Sequence, residues 1–168
     1  MPKFVADSSV SPTGLKWAAP ASPTFVGAAA YMQNNSVSYT NGVQATMSFT
    51  NEDYDSDGFW TSSPNPSRLT IPTGKGGKYL INALWRTVVG SGDASLWIYK
   101  NGSTVNSLGV EGGNWARDPD MALNNTVLST SIVLSAVATD YFELKAQTNF
   151  ATQSSATWCR FSISYLGA

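Results

Sequence analysis

The chain has 168 residues, enough for one domain with a sizeable core, and only 12% of them are charged. The net charge of −1 provides no basic field for phosphates, which excludes nucleic acid and anionic membranes as expected partners. Histidine is absent and Cys159 is the single cysteine, so histidine-based catalysis, zinc sites and internal disulfide bonds are excluded as well.

Residues 1–26 predict an extended N-terminal arm that precedes a head domain over residues 27–168. Prolines at four positions of the arm prevent a long helix. The arm contains too many apolar residues for a solvated linker, which favours docking on a neighbouring protein over the alternative, a flexible tail. The candidate anchoring residues are Phe4, Val5, Leu15 and Trp17.

Three carboxylates alternate in residues 51–60, at Asp53, Asp55 and Asp57, and Gly58 follows them. An EF-hand calcium loop would need a glutamate at its twelfth position, where this chain has Pro64. We therefore predict a solvated turn between strands and no metal. A cation held by these three carboxylates in another geometry is the alternative.

The residues after the arm form short runs with alternating polarity, separated by turn signals, which predicts an all-β domain. The clearest strand covers residues 79–89 and places Tyr79, Ile81, Ala83 and Trp85 on one face. Residues 95–100 form the next strand. The dipeptide Asn101-Gly102 follows it and predicts a two-residue hairpin of type I′.

Three later strands are predicted at residues 127–134, 141–148 and 157–166. In the last of these, Cys159 shares a face with Phe161 and Ile163, so we interpret it as a small core residue rather than a reactive thiol. Eight to ten such strands without helices predict a two-sheet sandwich or jelly roll.

Residues 109–120 predict a long glycine-rich loop, of the kind that carries recognition on a stiff scaffold. A contact between subunits is the alternative for this loop. If a glycan binds, Trp60 and Trp115 are the candidate stacking platforms, and Asn114, Asp118 and Asp120 are the candidate hydroxyl partners.

The order of motifs over residues 27–168 resembles the globular head of complement C1q and its tumour-necrosis-factor-like relatives. An acidic and aromatic segment at 54–60 leads into a turn with proline and glycine and then a strand that begins at Gly77. A strand ending in Lys100-Asn101-Gly102 follows. Further matches are a serine and leucine strand at 131–134, the strand at 140–144, and a closing aromatic strand at 158–166.

This resemblance implies a ten-strand jelly roll that assembles as a homotrimer. The composition agrees, because six Trp, seven Tyr and seven Phe exceed what one core of this size needs, and surplus aromatic residues favour a subunit interface. The chain contains neither a collagen nor a coiled-coil stalk, which disfavours an animal immune or cytokine role.

The arm resembles a second group of proteins. Residues 5–20, VADSSVSPTGLKWAAP, look like the segment that precedes C-terminal heads in bacteriophage tail-fibre and other virion surface proteins. Together the two resemblances imply a virion surface protein, on the capsid exterior or at the tail tip. The expected partners are the chain itself, as a homotrimer, and the major capsid or tail proteins.

We therefore expect a non-enzymatic virion protein without cofactors, a trimeric knob that decorates the capsid or forms a head fibre. The alternative is a tail-fibre tip that binds a host-cell surface glycan. A glycosidase would have to use Asp118 with Asp120 or Asp55 with Asp57, for which no apolar pocket is expected. No apolar stretch is long enough to span a membrane, and MPKFVADSSV lacks a signal-peptide core, which disfavours a secreted ligand.

Overall fold

The structure is a computed structural model, and it describes residues 4–6, 15–17, 25–87, 92–104, 115–121, 126–149 and 153–168. Within these residues every regular element is a β-strand, and no helix that could span a membrane is found. The all-β prediction is therefore confirmed. Its cause is the alternation of apolar and polar residues, interrupted by Gly, Asn, Asp and Pro at the turns.

The strands of the described residues are, in chain order, β1 (Phe4–Ala6), β2 (Leu15–Trp17), β3 (Gly27–Tyr39), β4 (Ala45–Thr46), β5 (Asn51–Asp55), β6 (Arg68–Thr70), β7 (Gly77–Thr87), β8 (Gly92–Lys100), β9 (Ser103–Thr104), β10 (Trp115–Met121), β11 (Thr126–Ala136), β12 (Tyr141–Thr148) and β13 (Gln153–Gly167).

Two antiparallel sheets contain eleven of these strands. The five-stranded sheet has the order β11-β7-β13-β3-β5. The six-stranded sheet has the order β10-β8-β12-β4, with β6 also paired to β12 and β9 to β8. The total differs from the expected ten strands, and two of the segments, β4 and β9, have only two residues each.

The core lies between the two sheets and is built from alternate residues of the long strands. Trp85 of β7 and Phe161 of β13 are fully buried, as their predicted faces require. Phe49 stacks on Phe161 with ring centroids 5.8 Å apart. Three polar groups of the core form a chain: the indole N–H of Trp85 donates to the Tyr39 hydroxyl at 3.1 Å, and that hydroxyl lies 2.9 Å from the hydroxyl oxygen of Thr157.

Cys159 is 1% exposed and belongs to this core, as predicted. Burial raises the pKa of its thiol to about 12. The thiolate, which is the nucleophile and the metal ligand, is therefore not formed at neutral pH. The interpretation of Cys159 as a packing residue is confirmed.

The hairpin between β8 and β9 has the predicted turn, with φ of 52° at Asn101 and 77° at Gly102. A second turn, before β12, holds this one in place. Asp140 accepts hydrogen bonds from Asn101 Nδ2 at 2.7 Å and from the backbone N–H of Val137 at 2.9 Å, and it forms an ion pair with Lys100 at 2.7 Å.

The prediction of one long loop over residues 109–120 is wrong for its second half. Residues 115–121 form β10, the edge strand of the six-stranded sheet, paired with β8 in a register that shifts between Asp118 and Met121. Pro119 lies in that irregular stretch. Proline donates no N–H to a ladder but is tolerated at edges and bulges, so its presence hid a real strand. Gly109, Gly112 and Gly113 lie outside the described residues.

The described residues of the arm form an antiparallel pairing, in which Phe4 of β1 lies opposite Trp17 of β2. The first strand of the head, β3, begins at Gly27, and β13 lies beside it with Ser164 opposite Gly27. The chain therefore enters and leaves the sandwich at the same end. The division into arm and head stays a prediction.

Replacement Phe161→Ala should lower the free energy of unfolding by about 3–5 kcal/mol, because it leaves a cavity beside Phe49 in a fully buried layer. Chemical denaturation at a fixed protein concentration measures this change. The matched control is Val137→Ala, at a side chain that is 65% exposed, and its effect should stay within about 0.5 kcal/mol. Equal effects of the two variants would contradict the described core.

Candidate functional site

One side of the five-stranded sheet faces away from the core and is called here the outer face. It is formed by the residues that alternate with the core residues: Val127, Ser129, Ser131 and Val133 of β11, Leu80, Asn82, Leu84 and Arg86 of β7, Trp158, Arg160, Ser162 and Ser164 of β13, and Ala29 and Tyr31 of β3.

Two shallow depressions lie on the outer face, and one ridge separates them. The first has a volume of about 380 Å³ and is lined by Asn82, Ser129 to Ser131 and Ser162. The second has a volume of about 370 Å³ and is lined by Tyr31, Gln33, Asp53 and Trp158. Leu84 and Arg160 line both depressions. These two side chains therefore form the ridge, since they stand side by side on β7 and β13.

The outer face mixes apolar side chains with a few charges. Leu84 is 41% exposed, and Val127 and Val133 are more than half exposed. The guanidinium of Arg86 lies 4.4 Å from the ring centroid of Trp158, a cation–π contact. A sheet face with this composition is typical of an interface rather than of a solvated surface.

Strand β11 borders the outer face and forms one edge of the sheet. Its register with β7 is continuous from Thr126 to Ala136, and its sequence, TVLSTSIVLSA, contains no charge, proline or glycine. Natural edge strands usually carry at least one such protecting feature. A long, regular, uncharged edge strand is a surface on which another chain can pack.

One side of the β11 backbone has no strand paired to it among the described residues, although β10 and β8 of the other sheet lie near β11. The carbonyl of Ser135 points away from β7, because it accepts a hydrogen bond from Lys100 Nζ at 2.9 Å. Backbone groups of alternate residues in an antiparallel strand point the same way. Val127, Ser129, Ser131 and Val133 therefore turn their carbonyl and N–H groups toward this side, where the described residues offer them no hydrogen-bond partner.

The three carboxylates of the acidic segment point to three different partners. Asp53 forms an ion pair with Arg160 across the sheet. Asp55 accepts hydrogen bonds from four backbone N–H groups, at residues 57 to 60, over 2.8–3.1 Å. Asp57 forms an ion pair with Lys75 at 2.8 Å. The turn is thus not merely solvated, since Asp55 organises its backbone.

The contacts of Asp57 affect its pKa, and the positions of all three carboxylates bear on metal binding. Hydrogen bonds from Lys75 and Ser56 lower the pKa of Asp57, although partial burial acts in the opposite direction. The carboxylates do not converge, and no cluster of three metal-ligating side chains occurs among the residues that the structure describes. The alternative of a shared cation therefore has no geometric support in this part of the chain.

The candidate glycan residues are divided between two places. Trp60 packs against the core in the connection from β5 to β6, and its indole N–H donates to the carbonyl of Pro66 at 3.0 Å. Trp115, Asp118 and Asp120 belong to β10, which β8 and β12 separate from β6. Asn114 lies outside the described residues. The proposed glycan set is therefore not one continuous site.

The candidate anchoring residues are brought together more closely. Phe4 and Val5 lie on β1, and Leu15 and Trp17 lie on β2, in one antiparallel pair. The sequence did not predict this pairing. The signal that could have predicted it is the presence of two short segments, FVA and LKW, each with residues that favour strands.

No model of a known protein family matches the chain, and no curated protein sequence matches it. Solved structures do match. The globular domain of zebrafish complement 1qA protein has a TM-score of 0.60 at 10% identity, covering 84% of this chain and 97% of that chain. The Eiger TNF of S. frugiperda has a TM-score of 0.54 at 12% identity, covering 85% and 93%.

The chain has the C1q/TNF-like jelly-roll fold. This confirms the fold that the motif order implied. At identities of 10% and 12%, the likeness concerns the fold alone. The jelly roll accounts for the two facing sheets, and it leaves the function to be argued from the surfaces of this chain.

Calcium should not bind the acidic segment, because Arg160 and Lys75 already neutralise two of its carboxylates and backbone N–H groups occupy the third. Titration calorimetry should show no saturable heat, and the melting temperature should be the same in millimolar calcium and in a chelator. A saturable heat that disappears in Asp53→Asn would contradict this prediction.

Proposed function

We propose that the protein is a non-enzymatic structural protein of a bacteriophage virion, a homotrimeric knob that its N-terminal arm attaches to the particle. The favoured position is the capsid exterior, as a decoration or head-fibre protein. The observation that supports assembly most directly is the combination of the outer face with the free edge of β11 on the same subunit.

A face and an edge require a particular kind of contact. A partner that buried the exposed apolar side chains of the outer face would stabilise the assembly, and a partner packed on the unpaired edge of β11 would shield its backbone groups from water. Because these two surfaces differ, an edge of one copy meets the face of the next, which is a heterologous contact. Repeating such a contact around a rotation axis closes a ring. The C1q/TNF-like resemblance favours a ring of three.

A binding or structural role fits the chemistry of the described residues better than catalysis. Several of their carboxylates are held in ion pairs or accept backbone N–H groups, as Asp53, Asp55, Glu143 and Asp140 do. The two depressions are open and hold a single ion pair between them. A glycosidase requires two carboxyl groups facing one substrate site.

The position on the virion rests on the arm. Its sequence resembles phage surface proteins, and the four candidate anchoring residues lie on the paired strands β1 and β2. The arm, which includes Phe25, joins the head at the same end as the C-terminus, where Val137 and Leu166 are also more than half exposed. This apolar end is the part of the head that would face the particle.

A tail-fibre tip that binds a host glycan is the second candidate. The arm resemblance applies equally to tail fibres. The cation-stacked tyrosines on the six-stranded sheet, Tyr99 beneath Lys145 and Tyr141 beneath Arg68, give that sheet an aromatic and polar outer side. Binding of host-surface glycan by intact particles and by the isolated knob distinguishes this candidate from a decoration protein.

Light scattering should give about three times the chain mass of 17.9 kDa at micromolar concentration. The variant Val133→Asp should be monomeric, because it places a charge where the outer face and the free edge meet and would be buried. Val137→Asp should remain trimeric, because this valine is also more than half exposed but lies outside the outer face. A monomeric parent protein would refute the assembly.

Deletion of residues 1–26 should leave the jelly-roll head folded and trimeric, because the buried core residues and the outer face lie in the remaining chain and only Val26 of the deleted residues packs against the core. The truncated protein should no longer bind particles that lack the knob. A pull-down with purified particles measures this, with the full chain as the control. Unchanged loading of the truncated protein would show that the head docks without its arm.

A further inference from the structure

Arg160 has an unusual position on the outer face. Its side chain is half exposed, and it stands on the ridge between the two depressions. Asp53 is its one ion-pair or hydrogen-bond partner among the residues that the structure describes. A guanidinium has five N–H donors in a planar fork, so most of its donors stay available.

The free edge of β11 offers the complementary groups. Its carbonyl oxygens at Val127, Ser129, Ser131 and Val133 find no donor in the described part of the chain. Burying such acceptors without partners destabilises an interface. Ser129 and Ser131 lie at the centre of the strand, and their small side chains let a large donor approach the backbone.

We propose that Arg160 of one copy donates hydrogen bonds to the carbonyl groups of Ser129 and Ser131 on the β11 edge of the next copy. This inference rests on the proposed homotrimer and names the polar contact that holds it. Asp53 orients the fork and balances its charge, so the contact brings no unpaired charge into the interface. Arginine at such a position is typical of the few residues that dominate interface energetics.

The chain supplies a matched control for this contact. Arg117 forms an ion pair with Asp93 on the six-stranded sheet, and its side chain is 47% exposed, against 50% for Arg160. Replacing either arginine with alanine removes the same charge and a similar pair. Only Arg160 faces the surface that the homotrimer buries.

Sedimentation over a dilution series, at low and at moderate salt, tests the proposal. Arg160→Ala should raise the dissociation constant of the trimer at least tenfold above that of the parent and of Arg117→Ala. Arg160→Lys should recover only part of this loss, because a single ammonium lacks the planar fork. Asp53→Asn should weaken assembly in the same direction by a smaller factor.

The results distinguish the proposed assembly from the Arg160 contact. A monomeric parent protein overturns the proposed assembly and this inference together. A trimeric parent, with Arg160→Ala as tightly associated as Arg117→Ala, overturns this inference alone and leaves the assembly standing. Far- and near-ultraviolet circular dichroism confirms the fold of each variant. If Arg160→Ala does not fold, Arg160→Lys and Asp53→Asn decide the question, and parental affinity in both overturns the contact.

Discussion

The register between β7 and β13 is the constraint on which the rest of the structure depends. In that register Phe161 lies opposite Ala83 and Ile163 opposite Ile81, so both strands turn their apolar residues to the same side. A shift of one residue would move every one of these side chains to the outer face. The same pairing sets Arg160 beside Leu84 and so creates the ridge between the two depressions. Core and outer face are thus two results of one alignment.

Much of the jelly roll could be predicted from local sequence. Strand β12 has the predicted bounds, and the Asn101-Gly102 turn has its predicted conformation, because both depend on neighbouring residues alone. Strand β10 was missed because its pattern contains Pro119 and two aspartates. Those residues are acceptable only at a sheet edge, and edge position is decided by strands far away in the chain.

The candidate site was predicted less well, for a related reason. Asp53, Asp55 and Asp57 form one group in the sequence, but their partners Arg160 and Lys75 come from other parts of the chain. Sequence spacing places three carboxylates at alternate positions of one segment and says nothing of the cations that separate them. The outer face was equally hidden, since the sequence analysis identified only the core face of β7 and not the opposite side, on which Leu80 and Leu84 lie. Apolar residues on both sides of a strand were the available signal.

The direction of the strands gives the proposed ring a consequence for attachment. Strand β3 begins and β13 ends at one end of the sandwich, so the arm leaves each subunit at that end. If the rotation axis runs along the strands, the three arms emerge side by side and bring three copies of the β1–β2 hairpin to one place. A weak contact of each hairpin with the particle then adds to the others through a high effective concentration. Contact between edge and face would in this way convert three short arms into one stable attachment, which a single subunit could not provide.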